Sequence, residues 1–411
     1  MSSPLWLRLL SIHVVVLTPP AAAVAKSHPS QSRPISPHSG DRNASLTSPR
    51  RLSAVCTGTF AAASTLATGA GIVRALAYVP HTTKMLVAAG DDQVLRVWTL
   101  DPFSATASNV LNGHAGRIWS LQWVDTHNLL ASGSNDGTIR FWSPSVLMNA
   151  QTCHAQQLAN CCDGDGLGCE GEHVVSWRDL GMQRRYKVHG LLWVTSSAKL
   201  YSAWEDLTIR IWTYNGAGTN PSWSPSTTVY TSTDRVHDMA YLTGSGGFLA
   251  TASPDERAPR LWAIGSGSAT LLTKDVGDGG FGLCPWAHCD AVLATASLGA
   301  ETLATGSMDN RIIIWSSSTM NRLSDLTSHT DYVSALAHLD SDTKIASGSK
   351  DNKIRIWSLA DTSVDQTSSA ETLSGHTGQV NALVWMGNAV TNGQLVSGSS
   401  DGTVRLWTCT R

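Results

Sequence analysis

One pattern of apolar and polar positions recurs along most of this chain. Its clearest copy, LVSGSSDGTVRLW at residues 395–407, has two short runs that alternate apolar and polar residues around Ser-Asp-Gly. Val, Leu and Trp at every second position suit half-buried strands, and Asp-Gly suits the tight turn of a hairpin. The stretch therefore predicts two antiparallel strands joined by a turn.

Seven segments carry this pattern, and each closes on a tryptophan. The closing residues are Trp98, Trp142, Trp212, Trp262, Trp315, Trp357 and Trp407. They are separated by 44, 70, 50, 53, 42 and 50 residues. A period of roughly 40–50 residues indicates structural repeats that stack into one body rather than separate domains.

The repeats resemble those of the WD40 family in three features. An Asp lies in the turn, a Trp closes the third strand, and Gly-His opens some copies, as at Gly113-His114 and Gly375-His376. The resemblance covers roughly residues 52–411. It implies an all-β fold, a seven-bladed WD40 β-propeller, with the N-terminal strand closing the last blade.

The expected closure rests on a count of strands at the two ends of the repeats. The chain ends four residues after Trp407, so the last repeat has three strands, and residues 52–60 have no hairpin partner in the first blade. We predict that residues 52–60 supply the missing fourth strand, because ring closure removes open sheet edges.

An insertion interrupts the second blade. Trp142 is 42 residues from the next repeat opening at Arg184, whereas Trp315 is only 14 residues from His329. We predict that residues 174–180 form the fourth strand and that residues 143–173 are inserted before it.

The insertion is rich in possible metal ligands: Cys153, His154, Cys161, Cys162, Cys169 and His173. It lacks the Cys-x2–4-Cys spacing of zinc sites and the Glu of a calcium loop. A loop with incidental thiols is the favoured interpretation, with a disulfide or a metal site as alternatives. We predict no metal and no cofactor.

Residues 1–51 differ from the repeats in composition. They are rich in Ser, Pro and Ala, and no acidic residue precedes Asp41. Arg8, the apolar residues 9–17 and the small residues 21–25 resemble a secretory signal, and the composition also resembles a transit segment. A disordered extension is the favoured interpretation, on an intracellular, cytoplasmic protein. A secreted or organellar protein is the alternative if residues 1–25 are a cleaved signal.

Charge and motifs narrow the function. The net charge of −2 argues against nucleic acid as the main partner, and the apolar run at residues 9–17 is too short to span a bilayer. The sequence has neither a phosphate-binding glycine loop nor a nucleophile elbow. We therefore predict a protein that is not an enzyme.

A set of His, hydroxyl, Asp and Trp recurs at matching spacing in four repeats. Its members are His114, Ser132, Asp136 and Trp142; His288, Thr305, Asp309 and Trp315; His329, Ser347, Asp351 and Trp357; and His376, Ser397, Asp401 and Trp407. Ser, His and Asp together suggest a hydrolytic triad, but an active site is built once. The resemblance assigns the set a structural role. Gly69, Arg184 and Ser232 replace the His in the other blades, where we expect weaker or absent links.

Two groups of positions vary while their neighbours repeat. One precedes the first strand of each blade: Ile72, Arg117, Lys187, Arg235, Ala291, Tyr332 and Gln379. The other precedes the turn Asp: Asp91, Asn135, Glu205, Pro254, Met308, Lys350 and Ser400. Both groups should lie at the mouth of the ring, where the fold does not dictate them.

The resemblance implies a scaffold or adaptor that docks a peptide or domain of another protein on this face. We predict a basic arc of Arg117, Lys187 and Arg235 for an acidic or phosphorylated segment, with Trp119 and Tyr332 as aromatic anchors. A solvated rim neutralised by Glu205 and Asp234 is the alternative for the arc. Alternative functions are a substrate-recognition subunit of a ubiquitin ligase and an enzyme that uses the channel.

Overall fold

A computed structural model describes most of the repeat region. The described residues are 59–67, 69, 71–100, 104–148, 172–176, 185–215, 222–230, 235–244, 247–254, 256–264, 269–271, 287–299, 301–339, 344–359, 365–367, 369, 371–387 and 393–409. The chain divides into two compact units, Met1–Arg51 and Leu52–Arg411, and the described residues all belong to the second. The predicted signal, the four insertion cysteines, Arg184, Ser232 and Asp234 lie outside the described residues.

Short antiparallel strands make up nearly all of the described structure. In chain order they are β1 (Phe60–Ala67), β2 (Val73–Val79), β3 (Met85–Gly90), β4 (Leu95–Thr99), β5 (Asn109–Leu111), β6 (Ile118–Val124), β7 (Leu129–Ser134), β8 (Thr138–Trp142), β9 (Glu172–Ser176), β10 (Val188–Val194), β11 (Lys199–Trp204), β12 (Thr208–Asn215), β13 (Ser222–Tyr230), β14 (Asp238–Leu242), β15 (Phe248–Ala252), β16 (Arg260–Ile264), β17 (Ala269–Leu271), β18 (Val292–Ser297), β19 (Thr302–Ser307), β20 (Arg311–Ser316), β21 (Arg322–Thr327), β22 (Val333–Leu339), β23 (Lys344–Ser349), β24 (Ile354–Ser358), β25 (Glu371–Leu373), β26 (Val380–Trp385), β27 (Gln394–Ser399) and β28 (Thr403–Cys409). One short α-helix, α1 (Pro144–Met148), and a 3-10 turn at Asp125–His127 interrupt them.

Seven four-stranded sheets form a closed ring. Strands β2–β5 make the first sheet, each next group of four makes another, and β26, β27, β28 and β1 make the seventh. The first strand of each sheet contacts the first strand of the next, and β26 contacts β2. The predicted all-β class and seven-bladed propeller are confirmed.

The ring closes on an N-terminal strand, but the predicted position of that strand was wrong. β1 starts at Phe60 and pairs with β28, placing Phe60 opposite Cys409 and Leu66 opposite Val404. Residues 52–58 lie outside the described residues. The alternation of β1 is hard to see because the register shifts between Ala62 and Ser64, and a bulge of this kind breaks the period of two.

Glycine in the second strand lets neighbouring blades approach. A Cβ on Gly398 would lie 2.5 Å from Val73 Cγ1 of the next blade, across the ring closure. A Cβ on Gly348 would lie 2.6 Å from Val380 Cγ1 in the same way. Because both contacts are far inside van der Waals separation, the Gly of the repeated Ser-Gly-Ser makes room for the leading Val of the following blade.

The insertion starts differently from the prediction. Helix α1 follows Trp142 almost directly, and Leu147 is completely buried in the core shared by the first two blades. Asn109 Nδ2 donates to Leu147 O over 2.7 Å. The fourth strand, β9, is Glu172–Ser176 rather than residues 174–180. Because Leu147 packs in the core, residues 143–148 belong to the ring and not to the inserted loop.

Candidate functional site

Each of the four predicted His, hydroxyl, Asp and Trp sets is assembled inside its blade. In the sixth blade His329 Nδ1 lies 2.8 Å from an oxygen of Asp351, and His329 Nε2 lies 2.8 Å from Ser347 Oγ. The indole of Trp357 donates to the same Ser347 oxygen over 2.8 Å. The second, fifth and seventh blades repeat these contacts at 2.7–3.1 Å.

Burial limits what the four sets can do chemically. Ser347 is completely buried, and His329 is only 7% exposed. The Ser347 hydroxyl is already hydrogen-bonded to an imidazole and an indole. The geometry is that of a link between strands, which satisfies buried polar groups and holds the turn Asp in place.

An arginine holds the turn acid in the three blades that lack the histidine. Arg96 pairs with Asp92 in the first blade, Arg210 with Asp206 at 2.6 Å in the third, and Arg260 with Glu256 at 2.7 Å in the fourth. Each arginine comes four residues after its acid. These blades were expected to have weaker or absent links, and a salt bridge holds their turn acid in place of the imidazole.

The third blade also replaces the ring of the missing histidine. Trp204 Nε1 donates to Ser202 Oγ over 2.6 Å, and Trp212 Nε1 donates to the same oxygen over 2.7 Å. The Arg210 guanidinium lies 4.7 Å from the Trp204 ring, within cation–π range. Trp204 thus takes over the contact that a histidine makes in the sixth blade.

The first blade leaves the corresponding space partly empty. Ala88 stands where other blades have the central hydroxyl, and the buried Trp98 indole N–H has no hydrogen-bond partner among the described residues. A Cβ on Gly69 would lie 3.2 Å from Arg96 Nη2, so the guanidinium occupies the space of the missing side chain. A small pocket of about 10 Å³ beside Ala88 and Gly90 remains.

Acid should weaken the links in two stages. Burial lowers the pKa of His329, which is therefore neutral in the folded ring, so stability should decline as the pH falls below the unfolded value of about 6.5. Burial raises the pKa of Asp351, but the hydrogen bond from His329 and the backbone donors outweigh it and lower the pKa to about 2. The stabilisation from Asp351 should persist above about pH 4 and disappear as the pH falls through 2.

Asp351→Ala tests both the link and its pH dependence. It should lower the free energy of unfolding by about 1–3 kcal/mol at pH 7 and reduce the later loss of Tm between pH 4 and pH 2. Partner binding should decline only as far as the protein unfolds. Asp331→Ala, at a partly exposed carboxylate, is the control. Equal Tm curves for the two variants would contradict a stabilising role.

Backbone hydrogen bonds join the two predicted groups of variable positions. The residue before the turn acid donates its N–H to the residue before the first strand, as Asn135 does to Arg117 over 2.9 Å and Lys350 to Tyr332 over 2.9 Å. Six blades share this bond. The fourth does not, because Pro254 has no N–H to donate. The repeated backbone fixes these positions while their side chains differ.

A bulge in the first strand adds a third group of positions that sequence reasoning missed, apart from Trp119. In six blades the residue after the leading Val or Ile has no partner on the second strand. These residues are Arg74, Trp119, His189, Leu293, Ser334 and Asn381, and His237 holds the corresponding place in the fourth blade. A bulge redirects the side chain of the extra residue. In the sequence, these residues can be recognised only by their position directly after the leading Val or Ile of the first strand.

Four of these side chains form a continuous row, here called the mouth ladder: Arg74, Trp119, His189 and His237. The Arg74 guanidinium lies 4.3 Å from the Trp119 ring centre and pairs with Asp91. The rings of Trp119 and His189 are 5.5 Å apart, and those of His189 and His237 are 6.1 Å apart and nearly parallel. The row spans four consecutive blades.

The predicted basic arc lies beside the mouth ladder, with acidic neighbours. Lys187 Nζ lies 2.6 Å from Glu205, and Arg117 Nε lies 3.7 Å from Asp91. Arg117 has a side chain 53% exposed to solvent. The arc therefore alternates in charge instead of presenting a uniformly positive surface.

The remaining predicted face residues lie on the sixth and seventh blades, away from the arc. Lys350 Nζ lies 4.3 Å from the Tyr332 ring centre, and Gln379 accepts a backbone hydrogen bond from Ser400. The bulged residues there bind backbone: Ser334 donates to Val380 O and Asn381 to Val73 O. Their hydrogen bonds join one blade to the next.

Two cysteines are described. Cys409, at the end of β28, is disulfide-bonded, and Cys289 is exposed with Arg311 Nη2 at 3.5 Å. No cluster of three or more His, Cys, Asp or Glu that could hold a metal occurs among the described residues. In the same part of the chain, no helix is long and apolar enough to cross a membrane.

Comparison with known proteins identifies the repeats. The sequence profile of the WD domain, G-beta repeat, matches residues 106–143, 320–358 and 367–408. Striatin-4 of Homo sapiens is 35% identical over 75 residues, which cover 16% of this chain and 10% of striatin-4. The cell division cycle 20.1 cofactor of the APC complex, of Arabidopsis thaliana, is 23% identical over 276 residues, covering 64% of this chain and 58% of that protein.

A solved structure supports the fold over a longer stretch. The WD40 β-propeller domain of Doa1 has a TM-score of 0.62 and 19% identity, covering 86% of this chain and 98% of that domain. The chain spans only 10–28% of the length of the first five curated relatives. The three profile matches show that the chain contains WD40 repeats, and the seven sheets show that it folds as a seven-bladed β-propeller.

Proposed function

We propose that the protein is a non-enzymatic scaffold that docks a segment or domain of another protein on the mouth of the ring. One observation carries this proposal: the same backbone hydrogen bond fixes the rim in six blades, while the side chains at the bonded positions differ. A fold that repeats its backbone and varies its surface is suited to recognition, and WD40 propellers generally act as interaction scaffolds.

The arc of Arg117, Lys187 and Arg235 is the proposed contact for an acidic or phosphorylated segment. Arginine forms bidentate bonds with carboxylate and phosphate groups and is favoured at binding hot spots. Glu205 and Asp91 keep the arc from attracting anions indiscriminately, so shape and position should contribute to selection.

Charge reversal tests the proposed surface. The double variant Arg117→Glu and Arg235→Glu should lower recovery of the main partner in affinity purification at least tenfold, because it reverses two charges at the contact. Its Tm should stay unchanged, since both side chains are exposed. The matched control, Lys199→Glu and Lys344→Glu, alters the opposite ends of the strands. Equal partner recovery from the two double variants would disprove the assignment of this surface.

We also propose an intracellular, cytoplasmic location. The disulfide at Cys409 is the observation that favours the alternative, a secreted or organellar protein, because disulfides persist mainly in oxidising compartments.

A further inference from the structure

One outer strand of the ring has another segment of the chain on its outward edge. This strand is β21, the fourth and outermost of the fifth sheet. Its Leu326 forms a parallel bridge with Gln366, which lies between β24 and β25 of the sixth sheet. Within the described ranges no other isolated bridge of this kind occurs. The loop of one blade therefore reaches back onto the edge of the preceding blade.

Three backbone groups of β21 are hydrogen-bonded to this loop. Gln366 donates its N–H to Asp325 O over 2.8 Å, and Gln366 O accepts from Thr327 N over 2.8 Å. The carboxylate of Asp365 accepts from Asp325 N over 2.8 Å. The first two bonds are those of an added strand, because the edge of a sheet presents N–H and C=O groups with which another extended segment can pair.

The charges at this edge favour an acidic residue at the position of Asp365. Arg311 already lies between two carboxylates, at 3.0 Å from Asp309 and 2.7 Å from Asp325. Arg322 Nη2 lies 3.6 Å from an oxygen of Asp325 but only 2.5 Å from one of Asp365. A charge-assisted hydrogen bond from arginine to carboxylate is both strong and specific in its geometry.

Few contacts hold the loop on the edge. The side chain of Asp365 is 58% exposed and Thr367 is exposed, whereas Leu326 of β21 is almost fully buried. Apart from its bonds to β21, Gln366 donates its Nε2 to Ser358 O over 2.7 Å within its own blade. A short, exposed segment with a single bridge opens locally at a low cost in free energy. Another segment can therefore take its place while the ring stays folded.

We propose that the edge of β21 is a second docking surface, which residues 365–367 cover in the free protein and which takes an extended segment of a partner protein. The partner segment adds as a parallel strand, with an Asp or Glu against Arg322 and a following residue that offers both its N–H and its C=O. This surface lies on the outer rim of the ring, apart from the mouth, and does not rest on the function proposed for the mouth. Its cover in the free protein prevents unselective strand addition.

A peptide supplied in trans tests whether the edge accepts a segment. The opened variant, Asp365→Ala with Gln366→Pro, removes the charge pair and the N–H donor but alters no strand residue. A labelled peptide of residues 362–369, TSVDQTSS, should bind the opened variant. The unaltered full chain should bind it at least tenfold more weakly, because its own tethered segment competes. If the double variant folds poorly, Asp365→Ala alone should show the same order with a smaller gain.

A reversal of charge shows whether the peptide lies on β21. Arg322→Glu in the opened variant should weaken binding of the peptide at least tenfold, and a peptide with Lys in place of its Asp should bind this variant again. Regained binding excludes loss of the fold as the cause. Lys353→Glu, the same charge change at an exposed residue before β24, is the control and should leave the affinity of the opened variant unchanged.

A failure of the peptide to bind the opened variant at millimolar concentration would overturn the proposal. Undiminished binding of a peptide with Pro in place of its Gln, or undiminished binding after Arg322→Glu, would also overturn it, because the peptide would then lie elsewhere. A dimer of the opened variant in analytical ultracentrifugation would assign the edge to a second copy of the chain instead of a partner protein.

Discussion

Removing residues 1–68 should destabilise the whole ring, whereas removing residues 1–51 should leave its Tm unchanged. The longer truncation deletes β1, exposing the edge of β28 and removing the buried Phe60 and Leu66. Unpaired backbone groups cost about 1–3 kcal/mol each where they stay buried, so the total loss should be on the order of 5 kcal/mol. Thermal unfolding of the two truncated proteins measures the difference.

An intermediate truncation makes this comparison sharper. Removing residues 1–59 leaves β1 complete but takes away Cys56, so the comparison is made under reducing conditions, where no disulfide at Cys409 contributes. Its Tm should then match that of the protein lacking residues 1–51. Equal Tm values after removal of residues 1–51 and 1–68 would show that β1 does not close the ring.

The second large effect should come from the start of the insertion. Under reducing conditions, where no disulfide at Cys409 contributes, replacing residues 149–171 with a short Gly-Ser linker should be tolerated, because the entropy of closing a loop changes slowly with its length. Replacing residues 143–171 also removes Leu147, which is fully buried against the first two blades. That change should cost about 2–5 kcal/mol, the usual loss for a buried leucine.

Leu147→Ala in the full-length protein separates packing from loop length. It should reproduce most of the destabilisation, while Val146→Ala, at a partly buried neighbour on α1, should cost less. Chemical denaturation gives the free energies of all four proteins. If the two linker replacements were equally stable, α1 would have no part in the core.

The repeats were predictable because each blade buries the same alternating residues. The closing strand was misplaced because its sequence alternates poorly: in β1 only Phe60 and Leu66 are buried among the positions whose exposure is described. Strand pairing across the ring joins residues more than 300 positions apart, and a local pattern contains no information about such a partner. Helix α1 was missed because five residues are too few to show a helical period.

The sequence could likewise predict one part of the candidate site and not the other. The arginine that pairs with the turn acid could be recognised in the sequence, because six repeats have Arg two residues before the closing Trp. In the fifth repeat Ile313 holds that position. The mouth ladder could not be recognised, because Arg74 and His189 are placed by bulges in two separate blades and His237 belongs to a third. Sequence spacing alone does not show that a strand is bulged.

The central claim is that the partner docks at the mouth of the ring and not on its opposite face. A photo-crosslinking amino acid placed at Arg117 tests this most directly, with Ser196 in the turn between β10 and β11 as the matched position at the other end of the strands. We expect a partner adduct from position 117 and none from position 196. An adduct from position 196 alone would place the partner on the opposite face of the ring and rule out docking at its mouth.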